Sequence, residues 1–279
     1  MWLKKNGSPT PIATIVGYDL SLLQGLLFFI PMLTLFLGAW ELASYFAVIP
    51  RLYASPSQIF ESMFAFAVEG DSQGKLYEHL GASGRRLVVG LVVGTALGYP
   101  LGIAIAMSPP SRFNGLLMAP FFLTFSRVTA MYLLVIVLGF AEAMKYGVSI
   151  WTVFVYQFAF AFHGAYSCFH SKDSHMQDLM ADTAVLGPTR WQFYSDFLVP
   201  MLLPRMFFGL LITSSVSLLM LVLTESYDRK YGIGGAIDAA NNVTAVAEII
   251  AFTIILALYG IVIWVAILIL QKKMLPWRP

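Results

Sequence analysis

Residues 180–204 read MADTAVLGPTRWQFYSDFLVPMLLP, and they lie between two long apolar runs in a chain that is 58% hydrophobic and 11% charged. A soluble domain carries about 25% charged residues, so the composition is that of a membrane protein, and the quoted stretch is where its greasy pattern breaks. Just upstream and into it, Met176, Leu179, Met180, Thr183 and Leu186 share one face of a short helix, with Asp178 and Asp182 elsewhere. Gly187-Pro188 predicts the stop, because glycine accepts a left-handed cap and proline cannot continue the hydrogen-bond ladder. Thr189-Arg190-Trp191-Gln192 is a capping box that restarts a helix at once, with Trp191, Tyr194, Phe197 and Leu198 as its stripe and Pro200 and Pro204 framing the next apolar run. Helices this short are marginal in water on their own, so both pieces need a covering surface, either a partner protein or lipid headgroups.

Crossing about 30 Å of hydrocarbon takes about 20 apolar residues. Six segments meet that length, at about 22–49, 87–107, 117–140, 146–168, 200–224 and 246–270. The expected class is therefore an all-α integral membrane protein, one transmembrane domain over 1–279 with an amphipathic loop at about 176–199. The first run is far longer than the apolar core of a signal peptide, about 7–15 residues, and is read as retained. An even number of spans puts both termini on one side. Lys4, Lys5, Lys272, Lys273 and Arg278 in the tails assign that side to the cytoplasm by the positive-inside tendency.

Between the first two spans, Ser55-Pro56-Ser57-Gln58 is a second capping box with proline at the first helical position. It predicts a short helix whose Ile59, Phe60, Met63, Phe64 and Phe66 suit the membrane interface. Glycines 90, 94, 98 and 102 recur every fourth residue, which predicts a smooth strip where a neighbouring helix approaches closely. Pro100 in the same span predicts a bend.

Several function classes are excluded by what the chain lacks. The 17 Lys and Arg are scattered in ones and twos, so no basic stripe suggests nucleic acid. The single cysteine, Cys168, excludes an intramolecular disulfide and a cysteine-based metal cluster, and reads as a small packing residue. No metal or catalytic residue set is expected, and no HExxH, intramembrane carboxylate pair or nucleophile motif supports a membrane enzyme. A Walker-type phosphate loop is likewise missing, so any ATP and Mg that drive this chain belong to a separate polypeptide.

The residues resemble the transmembrane subunits of bacterial ABC importers, the binding-protein-dependent permeases, and within them the nitrate, sulfonate and taurine branch. The cytoplasmic loop of that family carries Glu-Ala-Ala, three residues, Gly, then a helix to Leu-Pro-x-x-x-Pro. This chain offers Ala181-Asp182-Thr183, Gly187, then Val199-Pro200 and Pro204. Leu52-Tyr53-Ala54-Ser55-Pro56-Ser57, His79-Leu80 with Ser83 and Arg86, Gly98-Tyr99-Pro100-Leu101-Gly102, and Thr224-Glu225 followed by Gly232-Ile233-Gly234 resemble further family segments in order. The resemblance implies a type I importer permease fold in a bacterial inner membrane, with a loop that docks as a coupling helix on an ABC ATPase. It also implies two ATPase subunits, a second permease copy in a homodimer, and an extracytoplasmic binding protein delivering a small anionic solute such as a sulfonate, nitrate or taurine. Bicarbonate and a vitamin precursor remain alternative cargoes. Ala181, Asp182, Gly187, Thr189, Trp191 and Tyr194 are the expected docking residues.

Two departures stand out: Ala181 occupies the loop's glutamate position, with Asp182 one place later, and the proline-rich run that follows the family's arginine is Val128-Thr129-Ala130 here.

Ionisable groups inside the bilayer are costly and functional by default. Arg127 could meet an anionic substrate, or bind a backbone carbonyl at a helix break. His163 is read either as a pathway residue or as a hydrogen-bonded packing residue, and Glu41 and Glu248 as structural. Glu225, Asp228, Arg229 and Lys230 form a charged cluster near the outer mouth, a docking surface for the binding protein or a solvated patch. The rival class is an ion-gradient-driven secondary transporter or channel, in which the amphipathic pair only rests on the membrane.

Overall fold

The computed structural model describes residues 22–46, 54–70, 74–140, 143–170, 187–228 and 232–275, together with 178, 181–183 and 185. Nine helices of eight or more residues are found among them: α1 Leu22–Tyr45, α2 Pro56–Val68, α3 Leu76–Met107, α4 Pro109–Thr124, α5 Arg127–Leu138, α6 Val148–His170, α7 Val199–Asp228, α8 Ile233–Asn242 and α9 Val246–Met274. No strand occurs among the described residues. The molecule is an all-α membrane protein.

Four helical stretches, Leu76–Met107, Lys145–His170, Phe193–Tyr227 and Val246–Met274, are long and apolar enough to cross a membrane. Of the expected 22–49 run, Leu22–Tyr45 forms the 24-residue α1, and 47–49 lie outside the described residues. The expected span at 117–140 is not one helix: Gly115–Thr124 and Arg127–Leu138 meet at 98°. The cause is local. Pro120 removes an amide from the last turns of α4, and the Thr124 hydroxyl donates to the carbonyls of Pro120 and Phe121 at 2.9 and 3.1 Å. Phe125 and Ser126 then take extended backbone, and Ser126 Oγ accepts the Thr129 N–H and caps α5.

The core is the contact between α3 and α6. Gly90, Gly94, Gly98 and Gly102 lie on one face of α3 and are all buried. A Cβ at Gly90 would stand 2.7 Å from Ser149 Cβ, one at Gly94 2.8 Å from the Ile150 carbonyl oxygen, and one at Gly102 2.5 Å from the Phe158 carbonyl oxygen. Without side chains there, dispersion contacts form backbone against backbone, which lipid-soluble helices use in place of a hydrophobic driving force. On α6 itself Trp151, Phe154, Phe158, Phe162, Tyr166 and His170 stack in sequence along the helix, with ring centroids 4.2 to 6.3 Å apart. The Arg205 guanidinium on α7 donates to the Gly164 carbonyl on α6 at 2.9 Å, and Trp264 Nε1 on α9 donates to the Leu211 carbonyl on α7 at 3.0 Å.

Both expected capping boxes form. The Gln58 N–H donates to Ser55 Oγ at 3.3 Å and the Ser55 N–H to Gln58 Oε1 at 3.2 Å. Glu41 of α1 accepts from the Ser57 N–H at 3.2 Å and from its hydroxyl at 2.8 Å. A carboxylate thus sits at the positive end of α2, and Glu41 has a structural contact. Glu248 lies in the first turn of α9, where the same argument applies.

The α3–α6 seam yields a paired expectation. Gly94→Val should lower the thermal midpoint of the detergent-purified protein by the 1–3 kcal/mol or so of an overpacked core, because nothing backbone can yield. Gly81→Ala on the same helix, which meets nothing within 4 Å, should leave it within error; equal loss in both would contradict a close-approach seam.

Candidate functional site

Three places gather the chemistry-bearing residues: a buried clasp at one end of α3, the break between α4 and α5, and the turn leading into α7.

The clasp is built from α3. His79, Ser83 and Arg86 stand at i, i+4 and i+7, so they share one helix face. They meet the end of α7 and the start of α8. The Ser83 hydroxyl lies 2.8 and 3.0 Å from the two carboxylate oxygens of Glu225, Arg86 Nη1 donates to Oε1 at 3.2 Å, and the Gly234 N–H donates to Oε2 at 3.0 Å. Ser83 Oγ also accepts from the Ile233 N–H at 3.2 Å, and the Gly232 N–H donates to His79 Nδ1 at 3.2 Å. Glu225 is 1% exposed and Arg86 8%.

Gly232 has φ +137°, a conformation that strongly favours glycine, and any Cβ there would fall into the Glu225 carboxylate. For Glu225 this corrects the expected docking role. Glu225 is not displayed but enclosed, since in an apolar surrounding its charge requires the donors that Ser83, Arg86 and Gly234 supply. Asp228 ends α7, and Arg229 and Lys230 lie outside the described residues. The sequence carried a usable signal in the i, i+4, i+7 polar face, which needs an acceptor from elsewhere in the chain.

At the α4–α5 break, Arg127 occupies the first turn of α5. Its guanidinium bonds the Tyr156 hydroxyl on α6 and lies 5.1 Å from that ring's centroid. A cation there opposes the helix dipole, so the ring and the hydroxyl offset part of the cost. Arg127 remains half-buried and the Tyr156 pairing leaves guanidinium donors over. His163 is exposed on α6 and is not brought to Arg127; its neighbour is the edge of the Phe162 ring at 5.5 Å.

The turn before α7 begins as expected. Gly187 has φ +61°, and the Thr189 N–H and Gln192 Oε1, with Gln192 N–H and Thr189 Oγ1, close the capping box at 2.9 and 3.3 Å. The helix then widens into a π-turn over Phe193–Leu198 before Pro200. That shifts the expected stripe: Leu198 is fully buried, Phe193 and Tyr194 pack against the α3–α6 core, and Trp191 is 73% exposed. Trp191 and Tyr194 stack at 5.7 Å. Ala181, Asp182, Gly187 and Thr189 are also exposed. Met176, Leu179, Met180 and Leu186, with the tail cations Lys4, Lys5 and Arg278 and with Leu52-Tyr53, lie outside the described residues.

The taurine transport system permease protein TauC of Escherichia coli (strain K12) is 26% identical to this chain over 242 residues, 86% of the chain and 85% of that protein. Over most of its length the chain is thus similar to a taurine transport permease. Its four long apolar helices suit a chain that crosses a membrane more than once. No family model matches it.

Removing one partner from a buried ion pair costs roughly 3–5 kcal/mol. Glu225→Ala should therefore unfold well below the wild type in a detergent melt, and raising salt should not change the gap, because the pair is shielded from solvent. A wild-type melt for Glu225→Ala would show that the clasp stabilises nothing.

Proposed function

We propose that the chain is the transmembrane subunit of an ATP-driven importer, in which two permease copies form the path and two separate ABC ATPase subunits bind and hydrolyse ATP with Mg. An extracytoplasmic binding protein delivers the cargo, a small anionic solute of the sulfonate, nitrate or taurine kind. Both termini and the 187–198 turn lie on the cytoplasmic side. The observation that carries this reading is the exposed Trp191, held on a capped and π-widened turn whose other face is fixed in the bundle core, in a chain similar to a taurine permease over most of its length.

Mechanically, the turn suits a lever. Leu198, Phe193 and Tyr194 root it among Phe169, Leu202 and the α3–α6 core, so a displacement applied at Trp191 passes into α6 and α7 instead of dissipating in a loop. Ala181, Asp182, Gly187 and Thr189 would complete the contact with the ATPase. Asp182 supports only a weak ion pair to the motor, being exposed. Closure of the ATPase pair on ATP would favour one arrangement of the spans and its release the other, which is a ligand-biased two-state equilibrium.

The anionic cargo is supported by Arg127, a cation at a helix break within the apolar part of the chain. There the guanidinium donors not used by Tyr156 could receive a sulfonate or nitrate oxygen pair.

Two mutational outcomes follow from this reading. Trp191→Glu, and Gly187→Pro, whose ring requires φ near −65° where the chain has +61°, should abolish co-purification of the ATPase while membrane insertion persists; normal complexes in both variants would remove the docking role. Arg127→Gln should raise the KM for an anionic cargo about tenfold, the effect of about 1.4 kcal/mol, with ATPase binding unchanged. An unaltered KM would take Arg127 out of the path.

A further inference from the structure

We propose that α3, the end of α7 and α8 stay joined as one rigid body throughout the transport cycle, with the His79–Ser83–Arg86–Glu225 clasp as a permanent joint, and that the conformational change is taken up at the α4–α5 break. This rests on the importer reading for the existence of a cycle, and goes beyond it in assigning which contacts move.

The clasp has no room to slide. Gly232 and Gly234 approach the Glu225 side chain so closely that neither position accepts a Cβ, and a Cβ at Gly234 would also stand 2.5 Å from the Val222 carbonyl oxygen. Opening would strip the buried Glu225 carboxylate of its Ser83, Arg86 and Gly234 donors and break the bonds of the Gly234 and Ile233 amides, each at a desolvation cost. The α3–α6 seam ties a further element to the same unit, since backbone-on-backbone contact is lost abruptly on small shifts.

The break is built oppositely. Phe125 and Ser126 leave helical conformation, the one capping bond to Ser126 Oγ is 3.5 Å long, and Val128, Tyr132 and Leu133 beside it are exposed. Hinges are such element-terminal residues that absorb backbone rotation.

Spin-label pairs test the assignment. In a Cys168→Ala background, Tyr77→Cys with Val243→Cys reports across the clasp and Leu117→Cys with Val137→Cys across the break; these four side chains are 67, 71, 61 and 77% exposed. Labelled permease, diluted with unlabelled copies in nanodiscs and bound to its ATPase, is measured by pulsed electron resonance without nucleotide and after vanadate trapping. The clasp pair should move by less than about 2 Å and the break pair by more than about 4 Å, the scale of interface shifts and ratchets. A clasp pair that moves as far as the break pair, or a static break pair in a complex that traps nucleotide, overturns the proposal. Failure of the ATPase to bind or trap nucleotide on the same sample strikes instead at the importer reading. Amide hydrogen exchange on the permease alone then decides the joint: Gly232, Ile233 and Gly234 should exchange more slowly than Arg127 and Val128, and equal or faster exchange contradicts it.

Discussion

Everything in this fold depends on how close α3 comes to α6. In lipid no hydrophobic force draws two apolar helices together, so their association must come from contact at short range. The chain meets that constraint by omitting side chains at Gly90, Gly94, Gly98 and Gly102, which lets the α6 backbone lie directly on α3. The seam fixes the orientation of α3, and with it the face carrying His79, Ser83 and Arg86. That face then captures Glu225 and the Gly232–Gly234 turn at one end of the bundle. At the other end the same core anchors Phe193, Tyr194 and Leu198, so Trp191 projects from a fixed base.

The two ends use different physics for different purposes. The clasp end holds charge in an apolar setting and is therefore all-or-none: three donors reach one carboxylate, and loss of any leaves a costly orphan. The Trp191 end leaves large aromatic surface uncovered, which is tolerable only where another protein or the membrane interface receives it. A transport subunit worked by a separate motor requires both, a stiff body and a graspable handle, and the similarity to a taurine permease gives that combination a natural context.

Much of this was legible in the residues. The two capping boxes, the left-handed Gly187 and the glycine strip are local rules, and the structure realises each where the sequence placed it. The break at Phe125 and Ser126 was not legible, because the run from 117 to 140 is apolar on both sides of it and Pro120 alone does not distinguish a kink from a right-angle turn. Glu225 was misread for a different reason. Its neighbours Asp228, Arg229 and Lys230 suggested a solvated surface, whereas its partners Ser83 and Arg86 lie about 140 positions upstream. The stripe through Trp191 was displaced because a π-turn, invisible in periodicity, changes the register before Pro200.

Energy source is the most direct discriminator between a motor-driven permease and a self-sufficient carrier. Purified permease reconstituted in liposomes with and without its ATPase and binding protein should take up radiolabelled sulfonate only when both partners and internal-facing ATP are present, and vanadate should stop it. Uptake by the permease alone, driven by an ion gradient and indifferent to ATP, would contradict the account.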